Sequence, residues 1–331
     1  MTNYQSIHLV KRPSATIEAN CFELREHQAQ PLQAGEFRVK QTHMSLDPAM
    51  RGWMSADTES YIPPVGLGEV MRASGIGEVL ESLHPDFPVG AMVMGMFGWT
   101  EQTVSQGKGV NIIPSGLSAE AVLAVLALPG MTAAQGLLEI AKPKSGETLL
   151  VSGAAGSVGS LVGQLAKAEG LRVIGVAGSD EKCRWLVEDL GFDGAINYKI
   201  EDVAQRVAAL TPAGVDIYFE NTGGAIQQAA MDNMNAFGRI VVCGMISDYN
   251  ATTPSAGPNW MTIIKKRLTI QGFTMPDHLH RAPQLMQQVA GYLQAGQLQY
   301  RVHVLEGLVS AIDGINLLFN GENQGKLLVK L

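Results

Sequence analysis

The sequence predicts an α/β protein of two domains, one rich in β-strands and one built on a doubly wound parallel sheet. The chain has 331 residues, about twice the length of a typical domain, so two cores are expected. Short alternating runs and turn residues fill positions 7 to 111, as in a β-domain of barrel-like character. From position 147 onward, apolar runs alternate with helical patterns, which is typical of a parallel sheet covered by helices.

Composition narrows the classes of partner. The net charge is -7 and the pI is near 5.5, and no basic run is present, so no nucleic-acid partner is expected. The first residues lack a signal pattern, and no stretch has the roughly 18 uninterrupted apolar residues of a membrane span. We therefore expect a cytoplasmic protein without a membrane partner. Cys21, Cys183 and Cys243 are isolated and odd in number, so small buried thiols are expected rather than disulfides.

Before position 147, Pro114 to Leu128 has a helical pattern with Ser118 as the predicted N-cap, and Pro129-Gly130 is predicted to end that helix. A second helix is predicted at 132–141. Beyond the first βαβ unit we predict helices at 181–190, 203–210, 225–234 and 281–295, and strands at 195–197, 215–220, 239–243 and 268–273. The tail from Tyr300 is outside this alternation, so we expect it to pack on the N-terminal domain.

A glycine-rich turn follows the first strand of the parallel sheet. Thr148 to Val151 show no polar alternation, as expected of a strand covered on both faces. Gly153, Gly156 and Gly159 then form a G-x-x-G-x-x-G pattern, a relative of the dinucleotide fingerprint. Such a turn lets backbone N–H groups and a helix N-terminus face a pyrophosphate, so dinucleotide binding is expected.

The end of the next strand indicates which dinucleotide is preferred. NAD-preferring folds place an acid there, which binds the ribose 2′-hydroxyl. Here the strand ends at Ala177-Gly178, and Ser179 and Lys182 follow, whose hydroxyl and ammonium suit a 2′-phosphate. Tyr198 is expected beside the same phosphate, so NADPH is the predicted cofactor. The alternative is that Ser179 only caps the following helix, with Asp180 as a 2′-hydroxyl ligand.

Several motifs, matched in order along nearly the whole chain, resemble one family. They are SLDPAMR at 45–51, GMTA at 130–133, SGAAGSVG at 152–159, GSDEK at 178–182, INYK at 196–199, YFENTGG at 218–224 and N-x-GK at 323–326. The sequence resembles the zinc-independent medium-chain dehydrogenase/reductases. Within them it looks like the leukotriene B4 dehydrogenase/prostaglandin reductase branch, with plant alkenal double-bond reductases and bacterial curcumin-reductase-like proteins.

The resemblance implies a domain organisation. We expect a GroES-like catalytic domain at 1–125, a Rossmann NADP-binding domain at 126–296, and a tail at 297–331 that completes the first domain. It further implies an active site in the cleft and a homodimer. Ala49 departs from the bulky tyrosine of animal members, which argues against a prostaglandin-like substrate.

No metal is predicted. Zinc-dependent relatives carry a G-H-E motif, a catalytic cysteine nearby and a four-cysteine lobe. The comparable segment here, Gly66-Leu67-Gly68-Glu69, has no histidine, and three scattered cysteines cannot build a Cys₄ site. Reduction of an activated C=C bond is therefore favoured over alcohol oxidation, because it needs only a hydride donor and a group that holds the developing enolate.

The resemblance assigns roles to individual residues. Tyr249 is expected to donate a hydrogen bond to the enolate and to supply the proton, since a tyrosine is protonated at neutral pH. The alternative is that Tyr249 only forms a wall of the site, with the proton coming from the cofactor ribose or from water. The cofactor is expected to contact Thr132, Gly156, Ser157, Val158, Gly159, Ser179, Lys182, Tyr198, Asn221, Cys243, Gly244, Ile246, Tyr249, Phe273, Thr274 and Asn323.

The predicted function is NADPH-dependent reduction of the C=C bond of small enones or alkenals. Two alternatives stay open: an NADPH quinone reductase of the same superfamily, and a non-catalytic NADPH-binding protein.

Overall fold

The computed structural model describes residues 3–253 and 255–331. They divide into two compact units. Unit 1 holds the chain up to Leu123 together with Val302–Asn323 and Leu327–Leu331, and unit 2 holds Ala124–Arg301 and Gln324–Lys326.

Strands and helices alternate in unit 2, whereas strands dominate unit 1. The described residues form strands β1 Asn3–Leu9, β2 Phe22–Gln28, β3 Phe37–Ser45, β4 Gly75–Ser82, β5 Met92–Gly95, β6 Gln102–Ser105, β7 Asn111–Ile112, β8 Thr148–Val151, β9 Arg172–Ala177, β10 Gly194–Asn197, β11 Val215–Glu220, β12 Met234–Val242, β13 Thr269–Gly272, β14 Val302–Glu306 and β15 Lys326–Lys330. The α-helices are α1 Met50–Trp53, α2 Ala119–Ala121, α3 Leu128–Ala134, α4 Ser157–Ala168, α5 Asp180–Arg184, α6 Val203–Leu210, α7 Gly224–Asn233, α8 Met261–Lys266, α9 Ala282–Gln294, α10 Ser310–Gly314 and α11 Asn316–Asn320. Segments of π-helix are Val122–Leu126, Gln135–Ala141 and Trp185–Asp189, and those of 3₁₀-helix are Ala19–Cys21, Ile246–Asp248 and Met275–Arg281.

Unit 2 contains the predicted doubly wound parallel sheet. Its strand order is β10-β9-β8-β11-β12-β13, and every ladder in it is parallel. Leu149, Leu150 and Val151 of the central strand β8 have no exposed surface, which confirms that this apolar run is covered on both faces. The order of the strands reverses between β8 and β11, and in such sheets ligands bind outside the carboxyl ends of the strands at this point.

Unit 1 is built from antiparallel ladders, as its alternating sequence predicts. A two-stranded ribbon joins β1 to β2, and a larger sheet has the order β14-β15-β3-β4-β5-β7, with β6 also paired to β3. Strand β15 pairs with β3 so that Leu328 lies opposite Ser45. The core packs around Trp99, whose side chain is fully buried.

The predicted break between two helices is present, but it lies at Ala127 instead of Pro129-Gly130. Ser118 Oγ accepts the N–H of Ala121 at 3.1 Å, as predicted for the N-cap. The first helical run ends at Leu126, Ala127 has a non-helical ψ of -148°, and a new run begins at Leu128 and extends to Ala141. Pro129 stands in the first turn of α3, where a missing N–H costs nothing. Gly130 has no Cβ, and a Cβ there would lie 3.0 Å from the carbonyl carbon of Val125. The proline and glycine thus belong to the first turn of the second helix, directly after the break.

The same helical run is long and apolar. By length and composition alone, Ala119–Ala141 would be able to cross a membrane, but 83% of its most apolar window is buried inside the protein. A core helix of a globular domain has the same properties.

Candidate functional site

The glycine turn, Gly153–Gly159, joins β8 to α4 at the point where the strand order reverses. Gly153 has a φ of 58°, in the left-handed region that favours glycine. A Cβ on Gly159 would lie 2.9 Å from Ala154 Cα, so only glycine allows the helix to pack this closely on the turn. The glycine spacing seen in the sequence therefore has a steric cause at each of these two positions.

The N-terminus of α4 carries polar groups that suit an anion. Gly156 is the N-cap and offers no side chain to the first N–H groups of this 12-residue helix. Ser157 Oγ is buried and has no hydrogen-bond partner among the described residues. Gly156, Ser157 and Val158 keep partial exposure, while Gly159 is buried. A buried hydroxyl without a partner, beside helix N–H groups, fits a diphosphate.

Ser179 caps α5, as the alternative interpretation of this segment predicts for its side chain. Its Oγ accepts the backbone N–H of Lys182 at 3.2 Å. Asp180 is held by Asn197, whose Nδ2 donates to Asp180 Oδ1 at 2.8 Å. Because a capping hydroxyl accepts this bond, Ser179 keeps its own proton for a second partner.

Tyr198 and Lys199 lie against Gly178, and Lys182 lies close enough to Lys199 to feel its charge. A Cβ on Gly178 would lie 3.1 Å from Tyr198 Cε1 and 3.4 Å from Lys199 Cε. Burial lowers the pKa of Lys182, and the charge of Lys199 lowers it further, against an opposing effect of Glu181. Two neighbouring ammonium groups beside an aromatic ring would be stabilised by an anion such as a phosphate.

Lys199 was missed by sequence reasoning. A signal for it was present, because this lysine directly follows Tyr198 at the end of β10, which pairs with β9. In a parallel sheet the carboxyl ends of neighbouring strands lie side by side.

Asn221 lies at the carboxyl end of β11 and is tied to the end of β8. Its N–H donates to Ser152 Oγ at 2.8 Å, and its Nδ2 donates to Ser152 O at 2.7 Å. The side-chain amide predicted to contact the cofactor thus fixes the strand that leads into the glycine turn.

The segment Cys243–Tyr249, here the 243–249 loop, is bonded to the backbone after β11. The N–H groups of Cys243 and Gly244 donate to Glu220 O at 2.9 and 3.1 Å, and that of Ile246 donates to Asn221 O at 3.1 Å. Burial, and secondly the charge of Glu220, raise the pKa of Cys243 to about 12, so its thiol is protonated at neutral pH.

A hydrogen bond within the 243–249 loop holds Tyr249. Its phenol oxygen accepts the N–H of Met245 at 3.4 Å, and a Cβ on Gly244 would lie 3.0 Å from that oxygen. Since the oxygen accepts this bond, the bond does not use the phenol proton.

The remaining residues predicted to contact the cofactor lie in other elements of the chain. Thr132 is buried in α3 and its hydroxyl donates to Leu128 O at 2.6 Å. Phe273 and Thr274 directly follow β13; Thr274 Oγ1 donates to Asp277 Oδ2 at 3.2 Å. Asn323 belongs to unit 1, where it is buried and its N–H donates to Leu317 O at 3.4 Å. The C-cap of the preceding helix is Gly321.

Within residues 3–253 and 255–331, no group of three or more His, Cys, Asp or Glu side chains is arranged to hold a metal ion.

Comparison with known proteins places this geometry in a family. Residues 5–113 match the family model of an N-terminal domain of oxidoreductase, and residues 157–291 match one described as zinc-binding dehydrogenase. The chain is 38% identical over 330 residues to the NADPH-dependent curcumin reductase of Escherichia coli, covering 98% of this chain and 95% of that protein. It is 40% identical over 294 residues to a 2-alkenal reductase (NADP(+)-dependent) of Nicotiana tabacum, covering 88% and 86%.

A solved structure agrees with the sequence relatives. The crystal structure of CurA from Vibrio vulnificus in complex with NADPH superposes with a TM-score of 0.93 at 39% identity, covering 98% of each chain. The predicted fold class, a GroES-like domain with a Rossmann domain, is thereby confirmed. The chain belongs to the zinc-independent medium-chain dehydrogenase/reductases, in the branch that contains the curcumin, prostaglandin and 2-alkenal reductases.

Proposed function

We propose that this protein reduces the C=C bond of α,β-unsaturated ketones and aldehydes with NADPH. The observation that carries the proposal is a dinucleotide-type glycine turn in the same sheet as a cluster of Lys182, Tyr198 and Lys199. The two are neighbours, because the N–H of Ala154 in the turn donates to Val176 O of β9 at 2.9 Å. Relatives named as NADPH-dependent curcumin reductase and 2-alkenal reductase, similar along nearly the whole chain, support the same activity. When bound, NADPH supplies the hydride for such a reduction.

The residues of unit 2 offer complementary groups to each part of the cofactor. Helix N–H groups and the buried Ser157 hydroxyl suit the diphosphate. The 2′-phosphate fits the cluster of Lys182, Tyr198 and Lys199, with the Ser179 hydroxyl close in sequence. The remaining predicted contacts stay proposals: Thr132, Gly156, Val158, Gly159, Asn221, Cys243, Gly244, Ile246, Tyr249, Phe273, Thr274 and Asn323.

Tyr249 is proposed to hold the carbonyl oxygen of the substrate as negative charge develops on it. A phenol donor aimed at that oxygen would stabilise the enolate, and the same group is able to release a proton to carbon. The N–H of Met245, which donates to the phenol oxygen, would stabilise the phenolate left behind. If Tyr249 is only a wall, the proton comes from another source and the phenol is dispensable.

A substrate screen tests the proposed function. NADPH oxidation is followed at its absorbance maximum with a small aliphatic enone, an alkenal and a quinone as acceptors. Turnover with the enone and alkenal, with product identified as the saturated carbonyl compound by mass spectrometry, supports the proposal. Turnover of the quinone alone would make the protein a quinone reductase. Cofactor binding without turnover of any acceptor would make it a non-catalytic NADPH-binding protein.

We also propose that the protein forms a homodimer through unit 2. Strand β13 lies at one end of the parallel sheet, and most of its residues are exposed. Trp260, Met261 and Ile264, at or within α8, expose 63%, 53% and 69% of their surfaces. A second copy would cover both the strand edge and these apolar side chains. Light scattering coupled to size exclusion tests this, and Ile264→Asp is expected to shift the mass toward that of one chain.

A cytoplasmic location, with neither a membrane nor a nucleic acid as partner, stays a prediction. Fractionation of expressing cells tests it.

A further inference from the structure

A buried carboxylate, that of Glu220, directly precedes the predicted cofactor contact Asn221 and has no part in the proposed function. Glu220 ends β11 and has no exposed surface. A carboxylate removed from water is tolerated only where donors satisfy it. Glu220 Oε2 has no hydrogen-bond partner among the described residues, so the donors on Oε1 indicate what the carboxylate does.

One oxygen of Glu220 gathers donors from two segments. Oε1 accepts the hydroxyl of Ser152 at 2.9 Å, the N–H of Thr222 at 2.7 Å and the N–H of Gly223 at 2.9 Å. Ser152 in turn accepts the N–H of Asn221 at 2.8 Å. The carboxylate thus closes a ring of hydrogen bonds between the last residues of β8 and the turn after β11. Bonds to an ionised acceptor are stronger than bonds between neutral groups.

The turn after β11 then fixes the 243–249 loop. Backbone carbonyls of Glu220, Asn221 and Thr222 accept N–H groups from that loop, Ser247 N donating to Thr222 O at 3.0 Å. The side chain of Ser247 also donates to Thr222 O. Any displacement of the turn is therefore passed on to the loop that carries Tyr249. The charge of Glu220 also raises the pKa of Cys243, so its field reaches the start of the loop.

We propose that Glu220 is a positioning residue: its buried carboxylate locks the turn Asn221–Gly224 to Ser152 and so places the 243–249 loop for cofactor binding and catalysis. The catalytic consequence rests on the proposed function, whereas the locking of the turn and the loop does not. Both parts are separately measurable.

A matched control exists on the same strand. Asp216 Oδ2 accepts the N–H of Thr148 at 2.8 Å, and its Oδ1 accepts from Asn235 Nδ2 at 2.7 Å. This carboxylate also joins β11 to β8, but at the opposite end of the strands. Glu220→Gln and Asp216→Asn are the same chemical change, a carboxylate to an amide of nearly the same shape. Because Asp216 is only partly buried while Glu220 has no exposed surface, the two variants are compared by where hydrogen exchange accelerates and not by the stability that each loses.

The first readout is hydrogen exchange of the protein without cofactor. In Glu220→Gln, we expect exchange at 221–224 and 243–249 to accelerate about tenfold or more, since the charge that holds the N–H groups of Thr222 and Gly223 is lost and the loop is bonded to this turn. In Asp216→Asn, exchange in these two segments is expected to stay within about twofold of the original protein. Equal protection of both segments in the two variants would overturn the proposal.

The second readout is function. Glu220→Gln is expected to raise the NADPH dissociation constant, measured by calorimetry, about fivefold or more and to lower kcat for an enone about as much, while Asp216→Asn leaves both within about twofold. If exchange accelerates but the original protein reduces no enone, the positioning role stands and the proposed function fails. If the original protein reduces enones and the variants bind and turn over alike, the positioning role fails.

A milder variant covers the case in which Glu220→Gln does not fold. Ser152→Ala removes one of the four donors on Oε1, which also include the Thr222 hydroxyl at 3.4 Å, and leaves the carboxylate in place. It should accelerate exchange in the same two segments, by less than Glu220→Gln. Acceleration of exchange spread evenly over unit 2 would contradict the proposal.

Discussion

The phenol oxygen of Tyr249 lies 3.4 Å from the backbone nitrogen of Met245 and accepts its hydrogen. The tyrosine to which the family resemblance gives a catalytic role is thus held by its own loop, next to a glycine, Gly244, that leaves room for the phenol oxygen. This relationship gives the phenol a defined place before any substrate binds. It also makes the role of the hydroxyl separable from the role of the ring.

Tyr249→Phe removes the hydroxyl and keeps the ring. We expect kcat for enone reduction to fall about 10²-fold, because a positioned donor at the developing oxyanion and its proton transfer contribute about this much. The NADPH dissociation constant, measured by calorimetry, should stay near its original value. An unchanged kcat would place Tyr249 in the wall of the site and outside the chemistry.

Lys182→Ala and Lys199→Ala test the 2′-phosphate cluster. Each lysine would make a charge-assisted contact worth about 1.5 to 3 kcal/mol, so each loss should weaken NADPH binding about 10-fold or more. NADH lacks the phosphate, and its dissociation constant should hardly change. Competition binding of both cofactors gives the ratio directly, and an equal loss for NADPH and NADH would remove the lysine from this assignment.

Gly159→Ala tests the fit of helix and glycine turn. Its Cβ would lie 2.9 Å from Ala154 Cα, a contact with backbone that has no room to move, so we expect about 1 to 3 kcal/mol lower stability and weaker NADPH binding. Gly291→Ala is the matched control, since it lies inside α9 and its Cβ would meet nothing within 4 Å. The free energy of unfolding of that variant should rise by about 0.5 to 1 kcal/mol. Urea unfolding of both variants gives the two free energies, and NADPH titrations give the binding. A Gly159→Ala variant more stable than Gly291→Ala would contradict the steric explanation.

The cysteines of unit 2 should react slowly at moderate pH. Burial raises the pKa of Cys183 to about 11 and that of Cys243 to about 12, from an ordinary value of 9.0. At pH 8 the thiolate fraction is therefore about 100-fold or more below that of an ordinary thiol. Iodoacetamide labelling followed by mass spectrometry checks this, with a urea-unfolded sample as the control. Fast labelling of Cys243 in the folded protein would contradict its raised pKa.

The raised pKa of the Cys243 thiol also makes the free energy of unfolding depend on pH. The unfolded thiol ionises more readily than the folded one, so its stabilising contribution is present below pH 9 and is lost as the pH rises toward about 12. Cys243→Ser should show a smaller loss of unfolding free energy between pH 8 and pH 10 than the original protein.

Local features of the sequence predicted much of unit 2. The buried strand β8, the spacing of the glycines and the bounds Val203–Leu210 and Val215–Glu220 all follow from patterns within a few residues. The break between the first two helices of this region was predicted at Pro129-Gly130 and lies at Ala127, because a proline fits the first turn of a new helix as well as the end of the previous one.

The site was harder to complete from the sequence. Ser152 and Glu220 are 68 positions apart along the chain, and no periodicity links them. Lys199 would be an ordinary surface lysine until β10 is placed beside β9. Pairings of this kind are fixed by sheet topology, so they become visible only once the strand order is known.

The position of β15 between β14 and β3 has a consequence for the order of folding. Synthesis proceeds from the N-terminus, so all six strands of the parallel sheet, from β8 to β13, leave the ribosome before β14 and β15. Unit 2 therefore has all its strands while the larger sheet of unit 1 still lacks an inner strand. Until β15 arrives, residues 43–45 of β3 lack their partner in that strand, although β6 already pairs with residues 37–40. An incomplete sheet edge of this kind leaves a nascent chain open to aggregation.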